Sequence, residues 1–568
     1  MIAELNPEDR KWVDSTLGSM TIEECIAQML VPHHPFENPQ THFESVTNAT
    51  TDDWLRLLEE IPLGGICIRK PPSEELKLAL EKIQDHSQIP VIVGSNIELG
   101  SSSPARIMNE NAPRPDVLDY ASYSPSMMAF AAANDPDLTY ETCRFIAEQR
   151  RSYGYHWTFN PVADLNLNFR NPITNIRSLG DDTETVLTHA AAFIRGFQDG
   201  GVMAATAKHF PGDGTDERDQ HLLTTSNHLN LNDWYKTYGL VWKTVIDSGV
   251  SAIMCGHIAF PAYEQRIPDS NHTLPATLSK NLQVKLLREE LGFQGVVISD
   301  ASPMTGLTSR VKVSDRAIEN ILAGTDMCLL PETIKDYGFI KNAVHKGRIS
   351  EETIRDATKR ILELKARLGL HKDPFSASPA KSSHGNANRT INAVSEKSIT
   401  LLRKGNPEPR KLKGDENVLF VNVFSKGPFS NSNLEPLANS LKNEGCTVEL
   451  LENPTDMELR ENLPDFHSVF VNVCHVPMSG SLDQIGAGFG QTLWRIAHMF
   501  HDNVTYTCFG TPYVLTELPH APNMLLSYGA SVPAQEAVAK IYLGKLEPKG
   551  MLPVKEPDIS WQNILSEI

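Results

Sequence analysis

Residues 208–221 read Lys-His-Phe-Pro-Gly-Asp-Gly-Thr-Asp-Glu-Arg-Asp-Gln-His and hold the densest group of reactive side chains in the chain. Asp219 and His221 stand two residues apart, close enough in a loop for the carboxylate to accept a hydrogen bond from the imidazole. Such a contact fixes the ring tautomer and readies it to give and take a proton near neutral pH. Gly212 and Gly214 flank Asp213 and let the backbone turn sharply. A further carboxylate, Asp300, ends the apolar run Gly-Val-Val-Ile-Ser-Asp. At the last residue of a buried parallel strand it would stand at a barrel mouth; Asp is equally a favoured helix N-cap. His257 also closes an apolar run and suits a structural role as well as a chemical one. Taken alone, the Asp219–His221 pair suits a solvated charged loop too.

The elements that must position these residues alternate. Strand-like apolar runs occur at 64–68, 90–96, 156–162, 203–210, 251–260, 295–300 and 325–330. Continuous apolar runs, rather than strict alternation, mark strands buried on both faces. Helical stretches separate them, including 182–201, which opens on acidic residues and closes on Gly200 and Gly201, and 279–293. This rhythm predicts an α/β chain whose first domain, residues 1–370, is a (β/α)8-type barrel of the TIM kind; a doubly wound sheet fits the same pattern. Residues 371–395 are rich in Ser, Pro, Asn and Gly and read as a linker. Strand-like runs resume near 417–424, 447–451, 468–474, 504–510 and 524–529, predicting a smaller α/β/α sandwich over 396–568.

Bulk composition narrows the classes. With 52 basic and 70 acidic side chains the formal charge is −18, which disfavours nucleic acid and anionic membranes as partners. No apolar run is long enough to span a bilayer, and no apolar stretch of leader length follows the acidic start. The eight cysteines are scattered, several inside apolar runs, and are expected to be buried free thiols in a cytoplasmic protein. No P-loop, His-Glu-x-x-His or Gly-x-Ser-x-Gly motif occurs, and the Gly-rich run 485–491 reads as a loop.

Lys-His-Phe-Pro-Gly-x-Gly followed by Asp-x-His, Gly-Phe-x-Gly-Val-Val-x-Ser-Asp, Ala-Gly-Thr-Asp-Met-Cys-Leu-Leu-Pro, Phe-Asn-Pro-Val-Ala-Asp-Leu-Asn and Leu-Ser-Tyr-Gly-Ala-Ser-Val-Pro resemble, in order and spacing, glycoside hydrolase family 3. The Asp-x-His pair marks that family's β-N-acetylhexosaminidase branch. The resemblance implies a retaining, exo-acting β-N-acetylglucosaminidase with Asp300 as nucleophile, His221 as acid/base and Asp219 as its orienting partner. It implies that Lys208, His209 and Arg177 hold sugar hydroxyls, that the substrate is a small or oligomeric sugar, and that neither metal nor organic cofactor is needed. A phosphorylase and a non-catalytic sugar-binding protein are the alternatives.

The chain departs from the family pattern at two positions. Asn96 stands where an Asp that binds the non-reducing sugar is expected, which removes a charge-assisted hydrogen bond. Asp213 stands where the family often has His. Both bear on sugar preference and leave the reaction type intact.

Overall fold

The computed structural model describes residues 4–33, 51–68, 72–98, 124–264, 273–375, 382–405, 408–425, 433–477 and 493–557, together with 2 and 485. Among the described residues, eight parallel strands form the barrel of the first domain: β1 (Leu30–Val31), β2 (Gly65–Cys67), β3 (Ile92–Ser95), β4 (Trp157–Thr158), β5 (Ala204–Phe210), β6 (Ala252–Cys255), β7 (Val296–Ser299) and β8 (Cys328–Leu329). Strands β2 to β7 pair in chain order, with registers such as Gly65↔Ile92, Trp157↔Ala204 and Cys255↔Ser299. Bridges His33↔Cys67 and Ile298↔Met327 extend this ladder at both ends. Pairing of Leu30 with Cys328 closes the ring, so the expected barrel is present and the open doubly wound alternative is not. Every residue of the eight strands is buried, as their unbroken apolar runs require.

Helices cover the barrel. The helix Thr183–Gln198 begins where Asp182 accepts the Thr185 amide at 2.9 Å, and it turns Val186, Ala190, Phe193, Ile194 and Phe197 inward. Burying a side chain of the Val/Ile/Phe size contributes about 1.5–3 kcal/mol, so this face far outweighs the cap. The stretch 279–293 folds as a wide-turn helix, Asn281–Glu290, with the Leu291 amide reaching back to the Leu286 carbonyl at 2.9 Å.

The second domain is a six-stranded sheet: β9 (Thr400–Arg403), β10 (Asn417–Phe424), β11 (Thr447–Glu452), β12 (Ser468–Cys474), β13 (Val504–Cys508) and β14 (Met524–Leu526). Their spatial order is β9-β14-β13-β12-β10-β11, with all pairs parallel except β9 against β14. Leu419, Val421, Val469 and Val471 feed one core, while Val418, Phe420 and Phe470 feed another on the opposite face. That is the expected three-layer sandwich.

The segment between the two domains carries a helix. Residues Ser382–Ser398 form a helix, inside the segment whose composition suggested a connector through 395. Ala387, Ile391 and Val394 are buried at helical spacing, an apolar stripe too sparse to stand out among Ser and Asn. Ion pairs Lys397–Asp135 and Lys540–Glu396, both at 2.5 Å, tie this helix to the barrel and to the sandwich. No helix among the described residues is long and apolar enough to cross a membrane. Of the Gly-rich run 485–491, all but Ile485 lies outside the described residues.

Candidate active site

The seven residues to which the family resemblance gives roles lie at or beyond the carboxyl ends of barrel strands. Asn96 comes directly after β3 and is half-buried. Arg177 ends a short turn, Asn175–Arg177, in the long loop after β4. Lys208 and His209 lie near the end of β5; Asp219 and His221 are in the loop beyond it; Asp300 directly follows β7. The folding of β/α units thus gathers at one face groups that are more than 200 residues apart in the chain.

The cations are organised by a residue that the sequence reading left without a role. Glu98 accepts Arg177 Nε at 2.7 Å and Nη2 at 2.8 Å, and Lys208 Nζ at 2.5 Å. Burial alone would push the Glu98 carboxyl up, but Arg177 and Lys208 hold it far below its ordinary range. Burial pulls Lys208 down, and the Arg177 charge adds to that against the opposing pull of Glu98. Glu98 lies two residues beyond Asn96, and only the fold reveals what it meets.

His209 is oriented from behind. Its Nδ1 pairs with Asp164 Oδ2 at 2.7 Å, and its amide donates to Asp164 Oδ1 at 3.1 Å. The other ring nitrogen, Nε2, then faces Asp300 Oδ2 at 4.0 Å. Asp300 Oδ1 accepts the Ala301 amide at 2.7 Å. Burial would raise Asp300, but the imidazoles of His209, His257 and His221, with the Ala301 amide, hold it below the usual carboxylate range. Asp300 is therefore a buried anion at neutral pH.

The Asp219–His221 contact anticipated from spacing forms: Asp219 Oδ1 takes His221 Nδ1 at 2.7 Å and the His221 amide at 2.8 Å. The Asp219 side chain is 4% exposed and that of His221 39%, so a buried carboxylate carries an accessible ring. The loop is tethered beside Asp300. Thr305 donates its amide to the His221 carbonyl at 2.9 Å, and Thr224 Oγ1 donates to the Gly306 carbonyl at 2.7 Å. Gly306 allows this approach, since a Cβ there would stand 2.4 Å from the Gln220 carbonyl oxygen. At the start of the loop Gly214 has φ +102°, and a Cβ would meet the Leu165 oxygen at 1.9 Å.

His257 is structural in its bonding. Its Nδ1 contacts Thr277 Oγ1 at 2.9 Å and its Nε2 the Ala301 carbonyl at 3.1 Å, which supports the backbone beside Asp300. Burial, ahead of the other effects, lowers its pKa and keeps it neutral. Among the described residues no group of three His, Cys, Asp or Glu side chains is arranged to hold a metal ion.

The sandwich domain braces the Arg177 loop. Asn175 Nδ2 donates to Thr511 Oγ1 at 3.1 Å, and the Tyr513 hydroxyl donates to the Asn166 carbonyl at 3.4 Å.

A closed parallel barrel with carboxylates, imidazoles and a cation clamp gathered at one mouth defines an enzyme scaffold, and comparison with known proteins specifies its chemistry. Residues 21–364 match the glycosyl hydrolase family 3 N terminal domain. The chain belongs to glycosyl hydrolase family 3 and is a glycoside hydrolase acting on O-glycosyl bonds. It is 28% identical over 573 residues to a beta-N-acetylglucosaminidase/beta-glucosidase of Cellulomonas fimi, covering 97% of this chain and 96% of that one. It is 30% identical over 307 residues to beta-hexosaminidase A of Pseudoalteromonas piscicida, covering 50% and 49% of the two chains. Among solved structures, a family 3 beta-N-acetylglucosaminidase from Paenibacillus sp. str. FPU-7 superposes with a TM-score of 0.78 at 26% identity, covering 94% of this chain and 99% of that one. A beta-glucoside phosphorylase shares the fold with a TM-score of 0.82 at 24% identity, covering 97% and 96%.

Proposed function

We propose that this glycoside hydrolase is a retaining, exo-acting β-N-acetylglucosaminidase. The observation that carries the reading is the 2.7 Å pairing of Asp219 with His221 on a loop tethered beside the buried anion Asp300. Asp300 attacks the anomeric carbon while protonated His221 delivers a proton from Nε2 to the leaving oxygen. The glycosidic C–O bond breaks, a covalent glycosyl-enzyme forms on the carboxylate, and the departing alcohol carries the proton. Neutral His221 then removes a proton from water as water attacks the same carbon, releasing the sugar with its configuration retained. Asp219 holds the ring tautomer and faces the imidazolium with a negative charge. Arg177, Lys208 and His209 hold the sugar, with Asn96 beside them as a neutral donor and acceptor. The names of the Cellulomonas and Paenibacillus relatives support N-acetylglucosamine as the sugar.

A second reading keeps the site and changes the acceptor. A neutral imidazole does not repel phosphate as a carboxylate base would, so phosphorolysis is chemically open to this dyad. We further propose a cytoplasmic location, because its eight cysteines are all buried, several of them inside apolar strands, where Cys serves as a small hydrophobe suited to a reducing compartment.

Paired aryl β-glycosides that differ only at the 2-position, acetamido against hydroxyl, test the sugar. Each is run with and without inorganic phosphate, alongside Asp300→Ala. Preference for the acetamido substrate, a rate independent of phosphate and an inactive Asp300→Ala are expected. Preference for the hydroxyl substrate would remove the sugar assignment, and a rate that requires phosphate would favour the phosphorylase.

A further inference from the structure

Asp213 has no part in the chemistry above, yet it is buried where the two loops carrying that chemistry meet. Its Oδ1 accepts Asn171 Nδ2 at 2.8 Å and the Gly214 amide at 2.7 Å, and its Oδ2 accepts Gln220 Nε2 at 3.1 Å. Asn171 shapes the turn leading to Arg177, its Oδ1 accepting the Ile173 and Thr174 amides at 2.8 Å each. Gln220 is the residue between Asp219 and His221, and its Oε1 accepts the His257 amide at 3.0 Å. Asp213 thus receives three N–H donors from both loops.

We propose that Asp213 is a positioning residue: its carboxylate holds Gln220, and through Gln220 it fixes the Asp219–His221 dyad where His221 reaches the leaving group. This rests on the acid/base role given to His221. Three convergent donors require a group that only accepts, which is an ionised carboxylate. An amide at 213 would turn its own N–H toward one of them. Rotating the Gln220 amide to accommodate it would take the acceptor from the His257 amide, so the site has no isosteric neutral solution. Burial, with Asp164 next, pushes Asp213 up to about 6, against His209 and the hydrogen-bond donors, and leaves it mainly ionised at neutral pH. Tyr238 closes the site from the other side, donating its hydroxyl to the Asp213 carbonyl.

The test compares kcat/KM for an alkyl and a dinitrophenyl β-N-acetylglucosaminide, since only the alkyl leaving group needs a proton from His221. Asp213→Asn and Gln220→Met are each expected to lose at least about tenfold on the alkyl substrate and little on the aryl one. The double variant should lose no more than the worse single, because both break one link. Gln220→Met keeps the side-chain volume and guards against a folding defect in Asp213→Asn. Equal losses on both substrates, losses that multiply in the double variant, or unchanged kcat/KM overturn the proposal. His221→Ala is measured in parallel. If it too loses equally on both substrates, the acid/base assignment fails; if it shows the split and Asp213→Asn does not, the positioning role alone fails.

Discussion

Glu98 grips Arg177 with both carboxylate oxygens, and one of those oxygens also takes Lys208, so a single buried anion organises two cations, one from the loop after β4 and one from β5. The side chains of Glu98, Arg177 and Lys208 are 10%, 13% and 3% exposed, which limits screening by water. Glu98→Gln leaves both cations buried without their counter-charge, a defect that costs about 3–5 kcal/mol where pairs are fully desolvated. The expected result is a drop in melting temperature together with a fall in kcat/KM of about a hundredfold or more, with KM rising, because the groups proposed to hold the sugar lose their orientation. A variant with wild-type stability and KM would show that the clamp has no bearing on binding.

The barrel was legible because its strands are short apolar runs and its helices carry caps and amphipathic faces. The closure between β8 and β1 was not, since it rests on two paired positions, Leu30↔Cys328 and Val31↔Leu329, with no local signature. The helix Ser382–Ser398 stayed hidden because three apolar residues in a polar stretch become a stripe only when wound at helical pitch. The antiparallel strand Thr400–Arg403 was missed because only Leu401 and Leu402 of its four residues are apolar and it follows the polar helix directly. In the site, Asp219 and His221 were readable together because they are near neighbours in sequence. The meeting of Glu98 with Arg177 and Lys208 was not, because it spans 79 and 110 residues and depends on two loops and the end of β5 converging. Asp164 was similarly visible as part of a motif, but its grip on His209 across 45 residues was not.

The dyad separates two contributions, proton transfer and counter-charge. His221→Ala removes the proposed acid and base, so kcat/KM is expected to fall for alkyl leaving groups by about a hundredfold or more and much less for dinitrophenyl ones. With the aryl substrate the glycosyl-enzyme should accumulate, and added azide should restore turnover as a glycosyl azide of retained configuration. Asp219→Asn keeps an oxygen that can accept Nδ1–H and the His221 amide, but takes away the charge facing the imidazolium. Its loss on alkyl substrates should fall between wild type and His221→Ala. An Asp219→Asn variant as impaired as His221→Ala would mean that Asp219 does more than orient the ring.

Lys365 gives a pH-dependent prediction remote from the chemistry. Its ammonium is fully buried and donates to Gln28 Oε1 at 2.6 Å. Burial draws its pKa down to about 7 from an ordinary 10.5. Between those values the folded protein binds fewer protons at this site than the unfolded chain, so stability rises with pH across the window. Below about pH 7 both states are protonated and the cost of the buried charge is greatest, at most about 4–5 kcal/mol by the size of the shift. Lys365→Met removes that cost but leaves Gln28 Oε1 without its donor, a loss of about 1–3 kcal/mol that does not depend on pH. Relative to wild type, Lys365→Met should therefore gain most in melting temperature near pH 6, by a few degrees, and lose that advantage progressively toward pH 10. Melting curves for both proteins at matched ionic strength across that range decide it: a difference that stays constant with pH means the amine is not titrating in the folded barrel, and one that grows with pH reverses the sign of the argument.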